Sequence, residues 1–310
     1  MSRPRLPEAG KGERKMTSEL NVKGAVLEPR RQNQFVKIMK QLSYNKGAML
    51  GGIIFLLVFL AAVFAPVLAP YDYAAISVKE RLTGPSAAHL FGTDQMGRDI
   101  FSRILYGARY SLTIGIGSVA LSTGLGIVFG AVSGYYGGRI DNIIMRVCDV
   151  IQSIPGLILN IALACALGPG IFNTILALGF EGIAGSARLM RSSILNVRKM
   201  EYLEAASIGN CSDIRIMARH VFPNTFAPML VQATMGVGAR IMMAASMSYI
   251  GIGVQPPIPE WGAMLADSRN FLMEYPYMCL IPGICIMIVV LSLNLLGDGL
   301  RDALDPKLKK

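Results

Sequence analysis

The chain has 310 residues, 53% of them hydrophobic and only 16% charged, with a mean hydropathy of +0.47. That balance exceeds what one soluble core of this length needs and makes the bilayer the solvent. The formal net charge of +10 sorts by membrane side, so it gives no support to a nucleic-acid partner.

Residues 1–32 are polar, with Pro4, Pro7, Gly10, Gly12 and Pro29 among mixed charges, and cannot bury enough surface to fold alone. Over 33–43, Phe35, Ile38, Met39 and Leu42 recur at helical spacing; this is either a helix lying flat on the inner leaflet or an extension of the first span. The first apolar run follows 47 mostly polar residues and is too long for a signal peptide, so it stays as an anchor.

Uncharged runs cover 48–69, 110–138, 150–180, 221–239, 241–259 and 275–297. A span needs about 20 apolar residues to cross roughly 30 Å of hydrocarbon. The run 150–180 is therefore two helices, parted at the Gly-Pro-Gly turn 168–170. The reading is an all-α integral membrane protein with six transmembrane helices, near 48–69, 111–135, 143–167, 171–189, 225–249 and 276–298. With both termini in the cytoplasm, 23 of the 30 Lys and Arg fall inside and 6 outside, with Arg240 within a span. The domains then read as tail 1–47, first span and extracellular loop 48–110, and a five-helix core 111–310 with a cytoplasmic segment 190–224.

The loop 70–109 is too long for a plain connection. Within it, Asp99, Arg103 and Arg109 punctuate apolar residues over 89–112 as in an amphipathic helix feeding the second span. In that span Gly126, Gly130 and Gly134 leave one face bare for a neighbouring helix. Pro155 and Pro282 free backbone carbonyls inside spans three and six, which suits kinks around a pathway or static kinks in a bundle. Asp149 and Arg146 are spaced to pair locally, and Trp261, the only tryptophan, marks the outer interface.

The five cysteines, Cys148, Cys165, Cys211, Cys279 and Cys285, show no CxxC spacing and read as small packing residues. Two histidines, no HExxH and no GxSxG leave no catalytic set and no metal site, and nothing matches GxxxxGK[ST]. Energy for active transport would have to come from an ion gradient or another subunit.

The segment 190–224 reads as two short helices. Tyr202, Leu203, Ala205, Ala206 and Ile208 form the apolar face of the first, which ends at Gly209-Asn210. Ser212 and Asp213 start the second, and Pro223 closes it. The stretch "EAASIGNCSDIRIMARHVFPN" resembles the EAA signature of permeases from binding-protein-dependent ABC importers. Glu204, Ala205, Ala206, Phe222 and Pro223 match; Asn210 stands where the signature has glycine, and Gly209 comes one residue early. "FGTDQMGRDIFSR", "GVQPPIPEWGAML" and "NLLGDGLRDALDP" resemble the peptide and nickel subfamily, specifically its C-type permease.

The resemblance implies a type I importer permease fold in a bacterial inner or plasma membrane and no enzymatic activity of its own. It implies no cofactor bound by this chain, with ATP and Mg used by two ATPase subunits. Other implied partners are a second homologous permease, an extracellular or periplasmic substrate-binding protein, membrane lipid and a peptide substrate. Nickel or another small solute is the alternative cargo, and a gradient-driven secondary transporter the alternative class. Glu204 would contact the ATPase, with Gly209-Asn210 holding the corner of a coupling helix.

Departures from that family include Ala244 in place of a glutamate, Arg240 four residues earlier, and Glu181 in span four. At about 1.5 Å per residue, Glu181 lies ~15 Å down and Arg240 ~7 Å, within combined side-chain reach. Either they pair, or Arg240 lines the pathway and meets a peptide carboxylate, or Arg240 snorkels outward over a solvated Glu181.

Overall fold

A computed structural model of the chain describes residues 41–198, Arg215 and 217–304. Helix α1, Lys46–Val63, is capped by the Asn45 side chain, which accepts from the Ala48 N–H at 3.1 Å. A short helix α2, Ala65–Leu68, follows, and then a loop with one 3-10 turn at Val78–Glu80.

Helix α3, Ile100–Tyr136, is a single element of 37 residues, about 55 Å at the usual rise. Asp99 is its N-cap, accepting from the Ser102 N–H at 2.7 Å. This corrects the expected helix over 89–112: residues 89–98 are loop, because Gly92 and Gly97 take positive φ and Asp99 is used as the cap.

The third expected span is also corrected. Helices α4, Gly138–Ser153, and α5, Gly156–Leu167, meet at 90°, so the run is a broken span or a re-entrant loop. Pro155 has no N–H for a continuing helix, and the residue before a proline is driven to extended backbone, as Ile154 is at φ −92° and ψ 129°. Helix α6, Ile171–Val197, runs eight residues past the expected end at 189. A π-helical turn at Met217–Val221 leads straight into α7, Phe222–Ile250. Helix α8, Trp261–Ser268, and α9, Tyr277–Leu304, complete the described chain, and α9 continues through Pro282.

Pro223 therefore opens a long helix, where its missing N–H is harmless, and closes no preceding unit. Helices α1, α3 and α9 are long and apolar enough to cross a membrane, and the bent pair α4–α5 could make a fourth crossing.

Packing runs in a chain of neighbours: α1 on α9, α9 on α7, α7 on α3, and α3 on α6. The α3–α6 contact is close because Gly126 and Gly130 face Ser186, Ala187 and Met190, where a methyl group would collide. Four of the expected packing cysteines are free thiols; Cys148 is buried, Cys279 and Cys285 are half-buried, and Cys165 is exposed. Cys211 lies outside the described residues.

Candidate functional site

Among the described residues, three polar centres stand out in this apolar bundle. The first joins loop 70–99 to the start of α3 and to α8. Arg98 donates from Nε to Asp94 Oδ2 at 2.5 Å and from Nη2 to Asp267 Oδ2 at 3.1 Å. Arg103 lies 3.6 Å and 3.9 Å from the same two oxygens and donates to the Tyr73 carbonyl at 3.2 Å. The arginine side chains are only 3% and 2% exposed, so two buried cations are balanced by two carboxylates. Next to them His89 Nδ1 meets Asp99 Oδ1 at 2.9 Å.

Trp261 stands beside this centre, fully buried, donating from Nε1 to the Ile104 carbonyl at 3.2 Å. It is a core residue, which corrects its expected place at the outer interface. Glu260, equally buried, accepts from Ser111 at 3.1 Å and caps α8 through the Ala263 N–H at 2.9 Å. Together the two residues dock α8 against α3. An indole whose N–H finds a backbone acceptor can sit in a core as readily as at an interface.

The second centre lies where α6 leaves the bundle. Arg191 holds Asp141 in a two-pronged pair, 2.6 Å on each arm, and the Ser133 hydroxyl donates to the same carboxylate at 2.5 Å. One residue past α6, Arg198 donates to the Tyr135 carbonyl at 2.8 Å and the Gly134 carbonyl at 3.3 Å. The α3–α4 corner and the end of α6 are thus tied together at the base of segment 199–216. Glu204, Ala205, Ala206, Gly209 and Asn210 lie outside the described residues. Phe222 and Pro223 form the exposed first turn of α7, with Phe222 stacked 5.9 Å from Phe226. Nearby, Asp149 does reach Arg146 at 3.8 Å, but Arg188 of α6 holds it more closely, at 2.5 Å.

The third centre is in mid-bundle. Arg240 of α7 donates from Nη1 to Glu181 Oε2 of α6, so the two side chains are paired directly. Neither is sealed, at 17% and 29% exposed. The guanidinium lies in space left free by Gly182, where an added methyl would overlap Nη2 and come within 2.8 Å of Ser122 Cβ. The other carboxylate oxygen, Oε1, lies 3.2 Å from where a Cβ on Gly156 would stand, at the start of α5. One turn further along α5, Asn160 is fully buried, and neither its oxygen nor its nitrogen has a partner among the described residues. An amide left in that condition costs about 1–3 kcal/mol.

Residues 126–310 match the family described as the binding-protein-dependent transport system inner membrane component. The chain belongs to that family. Residues 33–85 match the N-terminal TM domain of oligopeptide transport permease C. Among its relatives, the dipeptide transport system permease protein DppC of Alkalihalophilus pseudofirmus is 46% identical over 87% of this chain and 89% of its own length. The probable D,D-dipeptide transport system permease protein DdpC of Escherichia coli K12 is 41% identical over 93% and 97%. The glutathione transport system permease protein GsiD of Pectobacterium atrosepticum is 44% identical over 84% and 87%.

In fold, the permease is similar to an inward-facing MetNI methionine ABC transporter structure, with TM-score 0.53 and 15% identity, over 66% of this chain and 97% of that one. This permease is therefore a multi-pass inner-membrane transport component, not an enzyme, on a largely helical fold of that kind. Helix depth put Arg240 and Glu181 within reach of each other and left pairing, a substrate contact and outward snorkelling open; the structure pairs them. Sequence reasoning missed Asn160 and Gly156, whose only signal was a lone asparagine and a Pro-Gly step in an apolar run.

Proposed function

We propose that the chain is one of two permease subunits of an ATP-binding-cassette importer of peptides. The observation that carries this reading is that relatives named for dipeptides, D,D-dipeptides and glutathione align over 87%, 93% and 84% of the chain. Those names favour peptides over nickel as cargo. In this reading six segments cross the membrane with both termini in the cytoplasm; α4–α5 is a broken span, and α6 and α7 cross despite their charges. A second homologous permease completes the pathway, a substrate-binding protein delivers the peptide, and two ATPase subunits use ATP and Mg. Arg240 and Glu181 line the pathway.

Segment 190–224 carries the coupling unit, with Glu204, Ala205 and Ala206 against the ATPase, Gly209-Asn210 at the corner and Phe222 and Pro223 at its end. The ties Arg191–Asp141 and Arg198–Tyr135 support this reading, because they couple any movement of that segment to α3, α4 and α6 as a rigid body. Purification in detergent is expected to bring down a homologous permease and ATPase subunits. Glu204→Ala and Gly209→Pro are expected to leave ATP hydrolysis running while uptake falls. A chain that purifies alone and transports without ATP refutes the importer reading, and unchanged uptake in both variants refutes the coupling role.

A further inference from the structure

Four helices meet at the mid-bundle pair: α3 through Ser122, α5 through Gly156, α6 through Glu181 and Gly182, and α7 through Arg240. Three features set this pair apart from a structural ion pair. Among the described residues it is a single pair, and both side chains are part-exposed. Glu181 has a second seat prepared, because its free oxygen already lies beside the first turn of α5. The N–H groups there lack helical acceptors, and no side chain caps them. Asn160 lies on the same face of α5 as Gly156, four residues on. Its unpartnered amide carries both a donor and an acceptor in a place where a native core would tolerate neither.

We infer that Arg240 is the binding site for the α-carboxylate of the transported peptide and that Glu181 is an internal stand-in for that carboxylate, displaced when the substrate arrives. This rests on the peptide-importer reading. The incoming carboxylate takes the guanidinium in the two-pronged geometry arginine favours. Glu181 shifts onto the start of α5, which lies between the 90° break at Pro155 and the turn at 168–170. The amide of Asn160 then meets the adjacent peptide unit. When the peptide leaves, Glu181 returns to Arg240, so the site never holds an unpaired cation. Gly182 and Gly156 are small because the guanidinium and the carboxylate need the room.

The test is uptake into proteoliposomes holding the full complex with its binding protein. It compares one dipeptide as the free acid with the same dipeptide as its C-terminal amide. The binding protein is constant across variants, so changes in the acid-to-amide ratio report on this chain. Arg240→Gln is expected to lower that ratio about tenfold or more by slowing the free acid. Glu181→Gln keeps the shape and removes the competing charge, and is expected to lower KM for the free acid several-fold while leaving the amide unchanged. Asn160→Leu removes an unpaired buried amide and so folds at least as well; it is expected to slow acid and amide alike. Arg240→Gln and Glu181→Gln complexes that assemble but change acid and amide by the same factor overturn the carboxylate site, and Asn160→Leu with unchanged uptake overturns the contact given to that amide. A wild-type complex that takes up neither form overturns the peptide reading itself.

Discussion

Two arginine–carboxylate centres differ in almost every physical respect. At the α3–α8 junction, Arg98 and Arg103 are sealed, share Asp94 and Asp267, and are backed by a backbone carbonyl. In mid-bundle, Arg240 has one carboxylate, a bare glycine beside it and a partly open side. A sealed network in which every group is shared holds loops in place, since no single partner can leave without stranding a charge. An open pair with a second seat for its anion can exchange.

The largest effect separating them is expected from Arg103→Ala. Removing one member of a buried ionic cluster leaves one carboxylate charge uncompensated beside Arg98, at a cost of about 3–5 kcal/mol. Thermal unfolding in detergent is expected to show a large drop in Tm or loss of folded protein; a drop no greater than that of Glu181→Gln would erase the contrast. Asp141→Asn breaks the tie between α4 and α6 at a part-exposed site, costing about 1 kcal/mol. Its larger consequence is expected in coupling, with more ATP hydrolysed per peptide moved; an unaltered ratio would reduce that tie to a local brace. Glu181→Gln is expected to lower stability by less than about 1 kcal/mol, because its partner is part-exposed, while changing transport kinetics. Arg146→Ala comes last, at about 0.5 kcal/mol or below. Its side chain is 85% exposed and Arg188 already holds Asp149, so a clear loss of Tm would mean that the weaker contact matters.

What could be read from the sequence followed from local patterns. Uncharged runs located the helices, and Gly126, Gly130 and Gly134 announced the α3–α6 contact because a bare stripe is visible at four-residue spacing. Counting depth along two helices put Arg240 within reach of Glu181 but did not choose between pairing and its alternatives. Pro155 flagged a disturbance, yet the 90° turn depends on what α4 and α5 pack against, which no local pattern states. Arg98 and Asp267 are 169 residues apart, so nothing in the neighbourhood of either predicts their contact. Trp261 misled because its polar edge suits a membrane interface, whereas the Ile104 carbonyl, reached where Gly107 leaves room for the indole, satisfies that edge in the core. Glu204 to Asn210, the residues proposed for coupling, lie outside the described part of the chain.

The central claim, that this permease moves peptides using energy supplied by partner subunits, is tested most directly by dipeptide accumulation in proteoliposomes containing the purified complex and its binding protein. Accumulation is expected when ATP and Mg are supplied on the ATPase side, and to stop with a non-hydrolysable analogue. Equal accumulation without ATP, driven by an ion gradient alone, would contradict the account.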